Sequence, residues 1–154
     1  MPRWSPDGNG IAMFSNRSGP LQIWKIRPDG SGLTQLTHAP GNVAYAVWSP
    51  DGRRLAGMIA ALDRGIITYT FASRTYQRLT DYGQWPVWLP DSRRLLFVSG
   101  GKAFYIVDGE TKQVRRVFSV TRDVIGPPQL TRDGRTVYFS RRVTEADIWL
   151  VTLP

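Results

Sequence analysis

WSPDG, residues 4–8 of this 154-residue chain, occurs again unchanged as residues 48–52. Two looser copies follow, WLPDS at residues 88–92 and LTRDG at residues 130–134. The aspartates of the four copies are 44, 40 and 42 residues apart. A period in the low forties with several short β-rich segments per unit is typical of β-propeller blades, whereas helical repeats of this length need apolar residues at a period of about 3.6, which the sequence lacks. The repeat therefore predicts an all-β fold.

Each unit contains four short segments of β-forming residues. An apolar run such as residues 95–98 follows the turn, and a second run such as residues 21–26 follows a polar turn. The next segment, for example residues 76–80, is more polar and suits an outer edge strand. The segment before each turn, for example residues 43–48, has small residues that fit a crowded innermost position. We therefore predict four consecutive four-stranded antiparallel blades, approximately residues 1–40, 41–82, 83–122 and 123–154, the last without its outer strand.

The residues of the repeated turn are explained by hairpin geometry alone. Proline presets φ at the first corner, aspartate can bond to its own nearby backbone, and glycine accepts a positive φ. A tryptophan at the same place in three units suits packing between blades better than a base-stacking ladder. We interpret the repeated residues as structural, and the aspartates as turn residues rather than metal ligands: Trp4, Asp7, Trp48, Asp51, Trp88, Asp91 and Asp133.

These motifs resemble the TolB-like β-propeller repeat, a relative of the WD-type repeat. The first unit matches nearly throughout, with residues 4–8, an apolar strand, a Ser-Asn-Arg turn at residues 15–17, and Ile-Trp at residues 23–24. Later units depart from the pattern, with Ser92 in place of the turn glycine and Leu130 in place of tryptophan. The resemblance implies a non-enzymatic module, of the kind used in bacterial periplasmic interaction proteins, in sensor halves of membrane kinases and regulators, and as the gating domain of prolyl-oligopeptidase-type peptidases.

The strand count predicts an incomplete ring. The four units supply 15 strands, because the last one stops after its third strand at residues 147–151, so we expect the C-terminal part of a larger propeller or half of a ring completed by a second copy. A lone arc would expose apolar residues such as Ile11, Phe14 and Phe139. We therefore expect a homodimer that forms an eight-bladed ring, with a strained four-bladed closure of one chain as the alternative.

Several classes of chemistry lack their residues. The chain has no cysteine and one histidine, and it contains no Gly-x-Ser-x-Gly elbow, phosphate-binding loop or His-Glu-x-x-His motif. We expect no enzyme activity, no cofactor and no metal site. No apolar run approaches the roughly 18 residues of a membrane span, and the first residues do not read as a secretion signal, so we expect no membrane insertion. The resemblance alone implies a periplasmic or other extracytoplasmic location.

The net charge of +8 raises the question of nucleic acid. Arginine supplies 17 of the 20 basic residues, but much of it occurs in scattered pairs at similar places in the repeat. A nucleic-acid binder would gather this charge on one element with aromatic residues. We expect a solvated surface and a protein or peptide partner, while a basic nucleic-acid-associated propeller stays open as an alternative.

The connections from each outer strand to the next innermost strand are the candidate binding region. In propellers such loops gather at one mouth of the central channel. They carry a mixture of aromatic, arginine and polar residues that interface centres favour, although aromatic residues here could instead pack on the neighbouring blade. The candidate partner-contact residues are His38, Asn42, Tyr82, Trp85, Arg122 and Asp123. The favoured function is a non-catalytic module for protein interaction or ligand sensing, with the gating propeller of a serine peptidase as a further alternative.

Overall fold

The computed structural model describes residues 2–39, 41–59 and 65–143. Regular structure in these ranges consists of sixteen β-strands. The strands are β1 (Arg3–Trp4), β2 (Ile11–Ser15), β3 (Gln22–Ile26), β4 (Thr34–Gln35), β5 (Val43–Trp48), β6 (Arg54–Ile59), β7 (Gly65–Thr70), β8 (Thr75–Arg78), β9 (Gln84–Trp88), β10 (Arg94–Ser99), β11 (Ala103–Asp108), β12 (Val114–Ser119), β13 (Val124–Ile125), β14 (Gln129–Leu130), β15 (Val137–Tyr138) and β16 (Arg141–Arg142). No helix in the described ranges could cross a membrane.

Three four-stranded sheets form the first three blades. Their strand orders are β1-β2-β3-β4, β5-β6-β7-β8 and β9-β10-β11-β12, and all neighbours are antiparallel. The outer strands β8 and β12 are exposed along their whole length, and β12 exposes the apolar Val117 and Phe118. The prediction of an all-β propeller built from sequential antiparallel blades is confirmed.

The fourth unit is a two-stranded ladder within the described residues. β13 pairs with β16, and β14 pairs with β15. The two pairings continue each other across residues 126–128, which read Gly-Pro-Pro, so β13 and β14 are one interrupted innermost strand. Proline has no N–H to donate to a ladder, which explains the interruption. The strand predicted at residues 147–151 lies outside the described residues.

The innermost strands bend at bulges with unusual backbone. The register of β5 against β6 shifts between Ala44 and Val47, and a similar shift occurs between β9 and β10. Tyr45 and Trp85 lie in these bulges with φ of 66° and 55°. A positive φ is costly for bulky side chains, whereas a bulge bends its strand and increases its twist. Both residues stand six positions before the turn aspartate, so the bulge belongs to the repeat.

The hydrophobic core lies between the blades. One cluster joins Ala12 and Ile23 of the first blade to Leu55 of the second. Two further clusters join the second blade to the third, around Phe97, and the third to the fourth unit, around Ile125. Each blade is therefore stabilised by its neighbours, as expected where stacked repeats share a core.

The repeated tryptophans link successive innermost strands. Trp48 Nε1 donates to the carbonyl of Arg3 at 3.0 Å, and Trp88 Nε1 donates to the carbonyl of Val47 at 3.2 Å. Both acceptors stand four positions before a turn aspartate. Trp4 differs from the packed role expected for it, because its side chain is 60% exposed. The physical reason is that no blade precedes it within the described residues.

The repeated turns are held by their own side chains. Ser5 Oγ and Thr131 Oγ1 each donate to the turn aspartate, Asp7 or Asp133, at 2.5 Å. These bonds hold the pKa of both aspartates below the ordinary value, because they stabilise the charged carboxylate. The turns also contact each other, since Ser92 Oγ accepts a hydrogen bond from the N–H of Asp51 at 3.0 Å.

Candidate functional site

Gln22 holds the connection between the first two blades. Its Nε2 donates to the carbonyls of Ala39 and Gly41, each at 3.0 Å, and its Oε1 accepts bonds from Thr37 Oγ1 and the N–H of Ala39. The amide thus uses its full hydrogen-bonding capacity in a buried position. Two candidate residues flank this clamp. Asn42 Oδ1 accepts from the N–H of Leu21 at 2.7 Å, and the side chain of His38 is exposed.

Lys102 holds the connection between the third and fourth units, as Gln22 holds the connection between the first two blades. Its Nζ donates to the carbonyls of Arg122 and Asp123 at 2.9 and 2.8 Å, and it lies 3.5 Å from that of Thr121. The Asp123 side chain is buried and forms an ion pair with Arg141. Asp123 therefore helps to shape the connection, whereas the neighbouring Arg122 is exposed.

The connection between the second and third blades carries both aromatic candidates. The Tyr82 ring lies 5.9 Å from that of Phe97 and 5.7 Å from that of Tyr105, and 42% of the residue is exposed. Burial of the hydroxyl raises the pKa of Tyr82, and Tyr105 adds to the increase. Trp85 lies in strand β9 rather than in a loop, and it packs half-buried against the cluster around Ile125. Both residues thus contact neighbouring core side chains.

The six candidate residues are distributed over three connections. His38 and Asn42 belong to the first, Tyr82 belongs to the second, with Trp85 in the strand that follows it, and Arg122 and Asp123 belong to the third. Within the described ranges, no hydrogen bond or ion pair joins candidates of different connections. The loops share one end of the blades, but they do not form one compact polar site.

A concave surface lies in the channel between the innermost strands. It is a cavity of about 330 Å³ lined by the aromatic side chains Trp4, Tyr45, Trp48 and Trp88, and by Arg3. The turn prolines Pro6 and Pro50 also line it, which places it towards the Pro-Asp-Gly turns and away from the candidate loops.

Sequence reasoning missed Tyr45, although the sequence carries a signal. It is the aromatic residue in the Val-Ala-Tyr-Ala-Val segment of β5, where the other side chains are small. Its bulge turns the backbone into the left-handed region beside the channel cavity. A small second cavity adjoins the Tyr45 side chain. It is lined by Arg3, Phe14, Tyr45 and Ala46.

The carboxylates of the described residues do not gather into a metal site. No group of three or more His, Asp or Glu side chains in residues 2–39, 41–59 and 65–143 stands close enough to hold a metal ion. The turn aspartates instead accept bonds from nearby groups, as Asp91 does from the N–H of Arg93 and Arg94, each at 2.9 Å.

Comparison with known proteins places the fold. No family model and no curated protein matches the sequence. TolB from Acinetobacter baumannii matches the structure with a TM-score of 0.78 and 22% identity over 95% of this chain and 38% of that chain. A putative TolB from Agrobacterium tumefaciens matches with a TM-score of 0.74 and 22% identity over 92% of this chain and 57% of that one. A puromycin-hydrolysing peptidase of Mycobacterium tuberculosis matches with a TM-score of 0.62 and 20% identity over 75% of this chain and 20% of that chain.

The extent of these matches defines what they establish. This chain spans less than two thirds of either TolB structure, and identities near one fifth establish the fold alone. The sequential blades, the turn motif and the superposition agree with one another. The chain has the fold of a TolB-like β-propeller.

Proposed function

We propose that this chain is a non-catalytic propeller module that binds a protein or peptide partner, and that the partner places an apolar side chain in the channel cavity. The lining of that cavity carries the proposal. Four aromatic side chains and Arg3 converge on a volume of about 330 Å³. Tryptophan, tyrosine and arginine are the residues enriched at the energetic centres of interfaces, and the volume lies at the lower end of the range for ligand pockets.

The tryptophans of the lining differ in how open they are to a partner. A tryptophan with 60% of its surface open to solvent leaves a large apolar area that a partner can bury. Trp48 and Trp88 lie deeper, because their indole groups are already bonded to the preceding blade. A partner side chain would therefore meet fixed aromatic walls on one side and the more open Trp4 ring on the other.

Tyr45 adds to this support through its place in the lining, because Trp85, with the same left-handed bulge, does not line the cavity. A bulky residue in the left-handed region costs on the order of 1–3 kcal/mol, and such residues are concentrated at ligand-binding positions. Tyr45 has φ of 66° and lines both channel cavities. The bulge orients this aromatic side chain for contact at the price of local strain.

The candidate loops form a second contact region in this proposal. The exposed His38, Tyr82 and Arg122 are available to a partner at the other end of the blades. The hydrogen bond of Asn42 to Leu21 and the ion pair of Asp123 fix the loop backbone that presents them. Trp85 supports the same region from strand β9. An extracytoplasmic location belongs to the proposal too, on the resemblance to TolB.

One alternative has an observation in its favour. The similarity to the puromycin-hydrolysing peptidase, at a TM-score of 0.62, is consistent with a propeller that accompanies a hydrolase domain. In that case the channel would serve access to a separate catalytic domain, and the channel aromatics would contact substrates in passage.

The proposal is tested by selecting peptides from a random library on the immobilised protein and measuring their affinity by fluorescence anisotropy. We expect Trp4→Ala to weaken selected peptides by about tenfold or more, as at interface hot spots. Tyr138→Ala is the matched control, because Tyr138 is 62% exposed and does not line the cavity. Equal losses in the two variants, or a library without enriched sequences, would contradict the proposal. Weak binding that depends on peptide length and not on peptide sequence would support the alternative, a propeller that accompanies a hydrolase domain.

A further inference from the structure

A groove runs along the outside of the propeller between the first two blades. It has a volume of about 460 Å³ and lies between the outer part of the first blade and strand β7 of the second. We call it the basic groove, because the cationic side chains of Lys25 and Arg74 line it together with His38. Tyr69 and Phe71 form an apolar wall. The groove thus combines positive charge with an apolar surface, away from the channel.

The basic side chains of this groove lack acidic neighbours. No carboxylate lines the groove within the described residues, and none of its three basic side chains takes part in an ion pair there. Elsewhere arginines are neutralised, as Arg93 is by Asp108 at 2.8 Å.

The neighbouring groove between the second and third blades provides an internal comparison. It contains Arg53 and Arg54, but Asp51 and Glu110 line it as well. The excess of positive charge therefore distinguishes the basic groove from this neighbouring groove.

Lys25 is held in place without any anion. Its Nζ lies 5.2 Å from the centroid of the Phe71 ring and 5.5 Å from that of Trp48, and these two rings stack at 5.1 Å. Gly10 makes room for the side chain, since a Cβ there would lie 2.5 Å from Lys25 Cε. Attraction to the ring faces positions the ammonium group and leaves its N–H donors unused within the described structure. The site is therefore preorganised for an anionic partner.

We infer that the basic groove binds an acidic segment of a partner protein. Carboxylates of the segment contact Lys25 and Arg74, and an apolar side chain between them lies against Tyr69 and Phe71. The net charge of +8 attracts such a segment at long range, and the local cations then fix its register. This inference does not depend on the channel cavity.

The hydrogen-bonding groups of the groove favour a peptide over a nucleic acid. Gln35 Nε2 donates to the carbonyl of Thr37 at 2.8 Å, and its Oε1 has no hydrogen bond within the described residues. That oxygen is an acceptor for a peptide N–H. Two cations on separate elements, Lys25 and Arg74, also match spaced carboxylates better than a continuous line of phosphates, which calls for an extended basic surface.

The test uses a fluorescein-labelled peptide of eight residues in which glutamate and leucine alternate. Fluorescence anisotropy measures its affinity for the whole chain, and the same peptide with glutamine for glutamate is the charge control. We expect the acidic peptide to bind, and Lys25→Met or Arg74→Gln to weaken binding about two- to fivefold each. Arg116→Gln is the matched variant, because Arg116 is an exposed arginine of β12 outside the groove; it should leave the affinity unchanged.

Three results would overturn the inference: no binding of the acidic peptide, equal binding of the glutamine peptide, or an equal loss in the Arg116 variant. Tighter groove-dependent binding of a twelve-residue oligothymidine would overturn it in favour of single-stranded nucleic acid. Arg74→Gln keeps the test valid if Lys25→Met disturbs the packing of its aromatic neighbours, since Arg74 lies exposed in a turn. Trp4→Ala should not affect this binding, which separates the groove from the channel.

Discussion

Trp48 shows at the residue scale how one side chain joins two blades. Its indole donates to Arg3 of the preceding blade and its ring stacks on Phe71 of its own blade. The sequence predicts a packing role from the position before the turn, because the same residue type recurs there. The sequence could not predict that Trp4, in the same position, is exposed, because exposure depends on which residues lie next to it in the folded chain.

We predict that Trp48→Ala lowers the free energy of unfolding by about 3–5 kcal/mol, the usual cost of deleting a large packed aromatic side chain. Trp4→Ala should change it by less than about 1 kcal/mol, because the Trp4 side chain is mostly exposed. Urea unfolding followed by circular dichroism measures both. Similar midpoints for Trp48→Ala and the parent would contradict the packing assignment.

Acid should destabilise the protein, because carboxyl groups whose pKa is lowered in the folded state must take up protons. The N–H of Thr111 and the guanidinium of Arg93 hold the pKa of Asp108 well below its ordinary value. A lowered pKa in the folded state means that the unfolded chain takes up the proton first, so this stability is present above about pH 4 and is lost as the pH falls further.

Urea unfolding at pH 5 and pH 3 tests this expectation. Asp108→Asn should reduce the difference in stability between the two pH values. Asp81→Asn serves as the control, because the Asp81 side chain is 89% exposed. If both variants kept the full difference of the parent, Asp108 would not contribute to it.

At the scale of elements, the sequence predicts the strands better than their irregularities. Segments of β-forming residues between turn motifs mark the strands of the first three blades, since alternation and turn chemistry are local properties. The bulges at Tyr45 and Trp85 are not local in this sense, because they arise from packing a twisted strand beside the channel. For the same reason Trp85, expected in a loop, lies in strand β9.

The clamps at Gln22 and Lys102 were also beyond sequence reasoning. Gln22, in β3, and Lys102, just before β11, have different chemistry, yet both donate hydrogen bonds to the carbonyls of the following connection. Only the fold reveals these contacts. Hence the candidate loops could be found from the sequence, but the side chains that shape them could not.

Replacing Lys102 by methionine should leave up to three carbonyls without their donor. We expect the free energy of unfolding to fall by about 1–3 kcal/mol and hydrogen exchange to increase in residues 121–125. Lys112→Met is the matched control, because Lys112 is an exposed lysine whose side chain makes no contact with this connection. Unchanged exchange in the Lys102 variant would show that the clamp does not hold the loop.

At the scale of the whole molecule, the exposed indole of Trp4 bears on assembly. The indole N–H of Trp4 is available as a hydrogen-bond donor. The carbonyl of Gln129 stands at the repeat position at which the carbonyls of Arg3 and Val47 accept an indole hydrogen bond. A second copy could therefore place its fourth unit against the first blade. We propose this pairing, related by a twofold axis, as the route to the homodimeric ring; Trp4 would then link the two copies, so the pairing competes with the partner contact proposed for Trp4.

Light scattering over a range of concentrations tests the pairing. We expect a mass of about twice the 17.4 kDa of one chain, with Trp4→Glu shifting the equilibrium to the monomer because a buried charge opposes docking. Tyr138→Glu, at a similarly exposed aromatic residue, should have a smaller effect if the contact is specific. A mass of one chain at every concentration would rule the dimer out.

The indole-to-carbonyl link also has an evolutionary consequence. Each of the first two units carries an acceptor four residues before its turn aspartate, and the following unit supplies the donor three residues before its own. A unit that contains both groups can be duplicated or deleted as a block, and the units on either side still match. The Leu130 side chain has no N–H, so the fourth unit cannot donate such a hydrogen bond to the third unit. The fourth unit can still accept one from a following unit. Growth of the array by copying is therefore easiest among the tryptophan-bearing blades.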